Sequence, residues 1–148
     1  LTINQEILQK EGKLTDEERK IVEKHPIIGA KMLEGSKSII LKAAEVIALS
    51  HHEKYDGTGY PYGLSGNKIP IYGRIAALSD VFDALTSKRI YKTPMNVDIA
   101  FEIINEEKGK SFDPKLVDIF IKSKEEIVKI HKKYEIEEIE VKLWRKKK

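Results

Sequence analysis

The segment HHEKYDGTGYP, residues 51–61, sets two adjacent imidazoles and two carboxylates ahead of a glycine-rich turn that ends in proline. Imidazole nitrogen and carboxylate oxygen are donors that iron, manganese and zinc accept. The chain has no cysteine, so thiolate sites and disulfides are excluded, and any metal here is held through nitrogen and oxygen. Two more residues of these donor types stand in helix-forming stretches: His25, directly before Pro26, and Asp80, within IYGRIAALSDVFDALTSKR. Each has an ordinary alternative. His25 alone reads as a helix-boundary histidine, and Asp80 alone as a capping or ion-paired residue. Neighbouring side chains on a helix diverge by about 100°, so His51 and His52 either converge at a frayed helix end or serve two different targets. The fourth histidine, His131, lies in a lysine-rich amphipathic stretch and reads as part of a solvated face. Arg89 and Lys92, in TSKRIYK, are a basic pair. Alone they read as surface residues; beside a metal they could hold phosphate, the arginine by a forked hydrogen bond and the lysine as a point charge.

The elements that must position these residues are helical. In GKLTDEERKIVEKH, Thr15 and Glu18 form a capping box, so a helix should run from Asp16 to about Lys24. Pro26 suits the first position of the next helix, IIGAKMLEG, which Gly35 can close. IILKAAEVIALSHHE is apolar almost all round and reads as a buried helix ending in the two histidines. Between Glu53 and Pro70, the glycines at 57, 59, 63 and 66 and the two prolines argue for a long loop rather than helix. Tyr55, Tyr60, Tyr62, Leu64 and Ile69 favour its order. In the helix that follows, Ile75, Leu78, Phe82 and Leu85 define an inner face, with Asp80 and Asp83 on it or at its margin. Asn96 caps VDIAFEIINEEKG, closed by Gly109, and Asp113 with Pro114 opens a long helix through KLVDIFIKSKEEIVKIHKKY. The alternating IEEIEVKLW reads as a short terminal strand or an extended tail. The expected fold is therefore all-α, a helical bundle with one long ordered loop. Helices joined by short connections return their ends to one region, where His25, His51, His52 and Asp80 could meet.

Composition sets the remaining bounds. With 148 residues, 41% of them apolar, the chain can bury one core. A net charge of +3, from 27 basic and 24 acidic residues, is too small and too dispersed for generic nucleic-acid binding. The longest apolar run, residues 39–49, is interrupted by Lys42 and Glu45 and is too short to span a bilayer. The terminal WRKKK reads as a solvated tail, and a chain opening on Leu1 reads as a piece of something longer.

The region from HHE through IYK resembles the signature of the HD-GYP family, a branch of the HD metal-dependent phosphohydrolases. The matching elements are HHE at 51–53, DGTGYP at 56–61, Gly63-Leu64, Arg74-Ile75 and SDVFDALTS at 79–87, with KEGKLTDEE and KHPIIG before them and KSFDP after. The likeness sets an expected organisation: an HD-GYP domain, shortened at its N-terminus, over residues 1–125, then a helix end and charged tail over 126–148. It implies an all-helical bundle of the HD type. It also implies a phosphodiesterase that hydrolyses the bacterial second messenger cyclic di-GMP to pGpG or GMP at a centre of two or three iron or manganese ions. By position, His25, His51 and His52 match ligands gathered largely on one ion, and Asp80 matches a carboxylate ligand of a neighbouring ion. Tyr60 belongs to the loop lining the site, and Arg89 and Lys92 match phosphate contacts. The implied reaction is metal-assisted hydrolysis, in which a water made acidic by the ions attacks phosphorus in line with the leaving 3′ oxygen.

The family's His-Asp pair, whose Asp bridges two ions, has no counterpart in this sequence. The expectation is thus at most one ion in this chain, impaired turnover, and apolar helix faces that favour oligomerisation or partner binding. A cytoplasmic setting and an attached regulatory domain are also implied, without contact to membrane or nucleic-acid polymer. The competing expectation is a catalytically inactive module that binds a cyclic dinucleotide or docks a protein.

Overall fold

In the computed structural model, which describes residues 3, 5–10, 12–87 and 93–134, helix boundaries follow local chemistry. Thr15 caps α2 (Asp16–Val22): its hydroxyl accepts the Glu18 N–H at 3.2 Å, and the Glu18 carboxylate accepts the Thr15 N–H at 2.7 Å. This capping box satisfies two otherwise unpaired donors. A short helix, α1 (Gln5–Leu8), packs against α2. Helix α3 (His25–Leu33) carries Pro26 in its first turn and is followed by Gly35 at φ +79°. Asn96 caps α6 (Val97–Glu106), its side-chain oxygen accepting the Asp98 N–H at 2.7 Å. Asp113 does the same for α7 (Pro114–Lys122), accepting the Lys115 N–H at 2.8 Å.

The chain divides into two units, Leu1–Val117 and Asp118–Lys148. In the first, α3 packs on α4 (Ile39–Ser50), α4 on α5 (Ile71–Thr86), and α5 on α6. Leu78 and Phe82 of α5, Phe101 and Ile104 of α6, Val117 of α7 and Ile69 at the end of the long loop are buried. The rings of Phe82 and Phe101 meet edge to face at 5.3 Å, a favourable aromatic geometry. No strand forms among the described residues, which fits the all-α expectation. The alternating segment IEEIEVKLW lies outside them, so the expected terminal strand does too.

Three expectations change. Helix α4 is not buried all round: α3 and α5 cover part of it, while Ile39 and Ile40 remain 83% and 75% exposed. Helix α5 buries Leu78 and Phe82 as expected, but its inner face is rolled toward Gly73, Ala77 and Thr86 and away from Ile75. Gly73 sits against Ser50 so closely that an added Cβ would collide with that side chain, so α4 and α5 approach closely at this pair. Ile75, Asp80 and Asp83 consequently face outward and are exposed. The second unit holds the end of α7 and helical residues 124–134, separated by a turn at Ser123, rather than one continuous helix. His131 there is half-buried.

The loop from Glu53 to Pro70 is ordered, with one 3-10 turn at Gly66–Lys68 that the glycine content did not suggest. Backbone bonds tie it to the turn between α6 and α7: Tyr55 N–H donates to Ser111 O at 3.2 Å, and Asp56 N–H to Lys110 O at 2.8 Å. Arg74 secures the same corner, donating to Asn67 Oδ1 at 3.1 Å and pairing with the buried Asp113 carboxylate. The Tyr60–Pro61 peptide is cis.

Candidate metal centre

Three helix boundaries deliver three imidazoles to one place. His25 opens α3 directly after α2 ends, and its Nδ1 lies 2.8 Å from the carbonyl of Val22, the last residue of α2. A carbonyl only accepts, so Nδ1 carries the proton and Nε2 presents a lone pair. His51 is the C-cap of α4; its Nδ1 lies 3.1 Å from Ile47 O and 3.0 Å from Ala48 O, which fixes the same tautomer. The last carbonyls of a helix lack intrahelical partners, and here imidazole N–H groups reach Val22 O and Ala48 O. His51 and His52 converge because α4 ends at Ser50, leaving both in the following turn with ring centroids 4.1 Å apart.

The Nε2 atoms of His25 and His51 face each other at 3.1 Å. With both Nδ1 atoms turned to carbonyls, the two Nε2 atoms are left facing each other, an arrangement that a shared proton or a metal ion between them satisfies. The spacing suits an ion: two nitrogens about 2.1 Å from a common centre, in adjacent octahedral positions, stand roughly 3 Å apart. His52 completes the group, its ring edge-on to His25 at 4.8 Å. One ligand atom from each of the three lies within 4.8 Å of the others. Burial, followed by the charges of His51 and His25, pushes the His52 pKa down to about 4, against the opposing pull of Asp80. At neutral pH His52 is therefore uncharged and offers its lone pair. The donor set fits a divalent transition ion.

The remaining sequence candidates are placed less closely. Asp80 is exposed on α5 and outside the three-histidine group, although its charge reaches His52 and the Tyr60 hydroxyl. Tyr60 is part of the wall: its ring stacks on His52 with centroids 4.8 Å apart and planes 24° apart. Its hydroxyl pKa is raised, first by burial and then by the Glu23 charge, so it stays a donor. Arg89 and Lys92 lie outside the described residues.

Glu53, the third residue of HHE, has a structural role that its place in the sequence does not show. It is 3% exposed, and its two oxygens accept the N–H groups of Tyr62 at 2.8 Å and Leu64 at 2.9 Å. The available signal was a carboxylate at the mouth of a glycine-rich loop whose N–H groups need acceptors. Gly59 passes so near the backbone of His52, Glu53 and Lys54 that a Cβ would lie 2.5 Å from His52 O and 2.6 Å from Glu53 Cα. Only glycine fits there.

Residues 2–116 match the HD domain family. The chain is 42% identical over 130 residues to a cyclic di-GMP phosphodiesterase response regulator of Xanthomonas campestris, covering 88% of this chain and 34% of that protein. It is 44% identical over 130 residues to a 3'3'-cGAMP-specific phosphodiesterase of Vibrio cholerae, covering 88% of this chain and 25% of that one. It thus spans a quarter to a third of the length of these relatives. A crystal structure of a cyclic GMP-AMP specific phosphodiesterase of Vibrio cholerae shares the fold, with a TM-score of 0.50 at 24% identity, over 86% of this chain and 32% of that chain. The HD match spans α1 to the start of α7 and so takes in all three histidines. The chain belongs to the HD domain family.

Proposed function

We propose that this chain is the metal-binding part of a phosphodiesterase that hydrolyses cyclic di-GMP to pGpG or GMP, working as the output module of a longer signalling protein. The observation that carries the reading is the 3.1 Å approach of His25 Nε2 and His51 Nε2 with both Nδ1 protons held by carbonyls. Such a pair, with His52 beside it, offers nitrogens to a metal ion. A divalent ion held by His25, His51 and His52 supplies an acidified water and neutralises charge on a phosphodiester. The nitrogen and carboxylate donors accept iron, manganese or zinc; the family resemblance selects iron or manganese, with Asp80 as ligand to a neighbouring ion.

The chain's own residues do the rest. Carbonyls at the ends of α2 and α4 fix the imidazole orientations, and ligand orientation set by such outer partners typically governs affinity. Tyr60 covers one face of His52 and limits water there. Arg89 and Lys92 are assigned to the phosphates. The sequence contains no adjacent His-Asp pair, so one ion and weak turnover are expected of these residues alone.

The test compares this chain with the full-length protein, by metal analysis and by hydrolysis of cyclic di-GMP. One bound ion with slow turnover in the chain, and brisk turnover at full length, supports the reading. No hydrolysis at full length refutes it in favour of a binding module. The assay includes 3'3'-cGAMP, because a relative of similar identity is named for that dinucleotide.

A further inference from the structure

Glu53 is buried next to the histidines yet stands outside their group. A buried carboxylate is costly unless its oxygens are hydrogen-bonded, and both of these are. The donors, Tyr62 N–H and Leu64 N–H, belong to the strand of loop that leaves the GYP turn, nine and eleven residues along the chain. The residue entering the loop thus grips the segment leaving it. Two residues before the first grip, Tyr60 N–H donates to His52 O at 3.1 Å and the Tyr60 ring lies on the His52 ring. A carboxylate suits this task because it offers two acceptor oxygens to two diverging N–H groups, whereas a glutamine would turn an NH2 toward one of them.

We propose that Glu53 is a positioning residue of the metal centre: by holding the Tyr62 and Leu64 N–H groups it keeps the Tyr60 ring on His52, and so fixes the direction in which His52 offers its nitrogen. Glu53 itself binds no ion. The proposal rests on the metal reading for its effect on affinity alone; the effect on ring geometry is independent of it.

The experiment follows the histidine ring protons by NMR in the metal-free chain. A tyrosine stacked at 4.8 Å shifts the His52 protons upfield by its ring current. Glu53→Ala should move them to the position seen in Tyr60→Ala, while Ile104→Val, a core change away from the loop, should lower stability and leave them in place. If Glu53→Ala does not fold, Glu53→Gln, which keeps one acceptor, is measured in the same way and should show the shift partly lost. Manganese titration then reads the second consequence. Glu53→Ala should weaken binding by roughly 10- to 100-fold, the range for residues that orient a ligand. The Glu53→Ala/Tyr60→Ala double variant should bind no more weakly than the worse single, since the two act in series. Unshifted His52 signals in the Glu53 variants, or losses that multiply in the double variant, overturn the proposal. A wild-type chain that takes up no manganese refutes the metal reading instead, and the ring shifts still decide the role of Glu53.

Discussion

Replacing Gly59 by alanine tests the closeness of the loop to the histidines. The new Cβ would meet Lys54 N, His52 O at 2.5 Å and Glu53 Cα at 2.6 Å, all backbone atoms that cannot rotate aside. Ordinary contact begins at 3.4 Å, so the loop must retreat by about 0.9 Å relative to His52. That movement takes Tyr60 N–H, now 3.1 Å from His52 O, out of hydrogen-bond range. Overpacking costs about 1–3 kcal/mol and the lost bond about 1 kcal/mol. The sum, roughly 2–4 kcal/mol, corresponds to a fall in Tm of roughly 5–15 °C for a chain of this size. The assay is thermal unfolding by circular dichroism with and without manganese. Gly35→Ala serves as the control, since its positive φ is strained by any side chain but nothing lies within 4 Å. Both variants should melt earlier, and only Gly59→Ala should bind manganese more weakly, by about tenfold for each 1.4 kcal/mol that falls on the site. A Gly59→Ala chain with wild-type melting and wild-type manganese affinity would refute the close approach.

Further outcomes separate the other parts of the site. His51→Ala should abolish manganese stabilisation, which for wild type reaches about 2.7 kcal/mol at one hundred times Kd, whereas Asp80→Asn should leave it largely intact, as Asp80 stands outside the three-histidine group; thermal shift against manganese concentration checks both. The depressed His52 pKa, about 4 against 6.5, means that the unfolded chain binds the extra proton first. Metal-free stability from this residue is therefore intact above pH 6.5 and falls as pH drops toward 4; urea midpoints at pH 7 and pH 5 should differ less in His52→Gln. Arg74→Met takes the cation from the Asp113 carboxylate, 5% exposed, and leaves it with the Lys115 N–H; removing one partner of a buried pair should cost about 3–5 kcal/mol, read as a lower urea midpoint.

The parts of this structure that sequence disclosed are those decided within a few residues. The Thr15–Glu18 box, the Asn96 cap and Gly35 beyond α3 act over three or four positions, and each appears where expected. His25, His51 and His52 were legible because Pro26 and the glycine-rich segment mark helix ends, and ends are where side chains from separate helices meet. What sequence concealed depends on close approach between elements. The apolar spacing of α5 pointed Asp80 inward, but the small Gly73 against Ser50 sets how that helix is rolled. The role of Glu53 rests on bonds nine and eleven residues away, a distance that no local pattern encodes. The exposed Ile39 and Ile40 likewise depend on what packs against α4 rather than on its composition.

The carbonyls that hold His25 and His51 also bear on an order of events. Each belongs to the C-terminal turn of a helix, where the aligned peptide dipoles gather about half a negative charge. Two such termini, two outward lone pairs and nearby Asp80 make the metal-free site hostile to a phosphodiester. On the proposed function, an ion that arrives first would reverse the sign of the local field before a cyclic dinucleotide settles, and the nucleotide's on-rate should track metal occupancy.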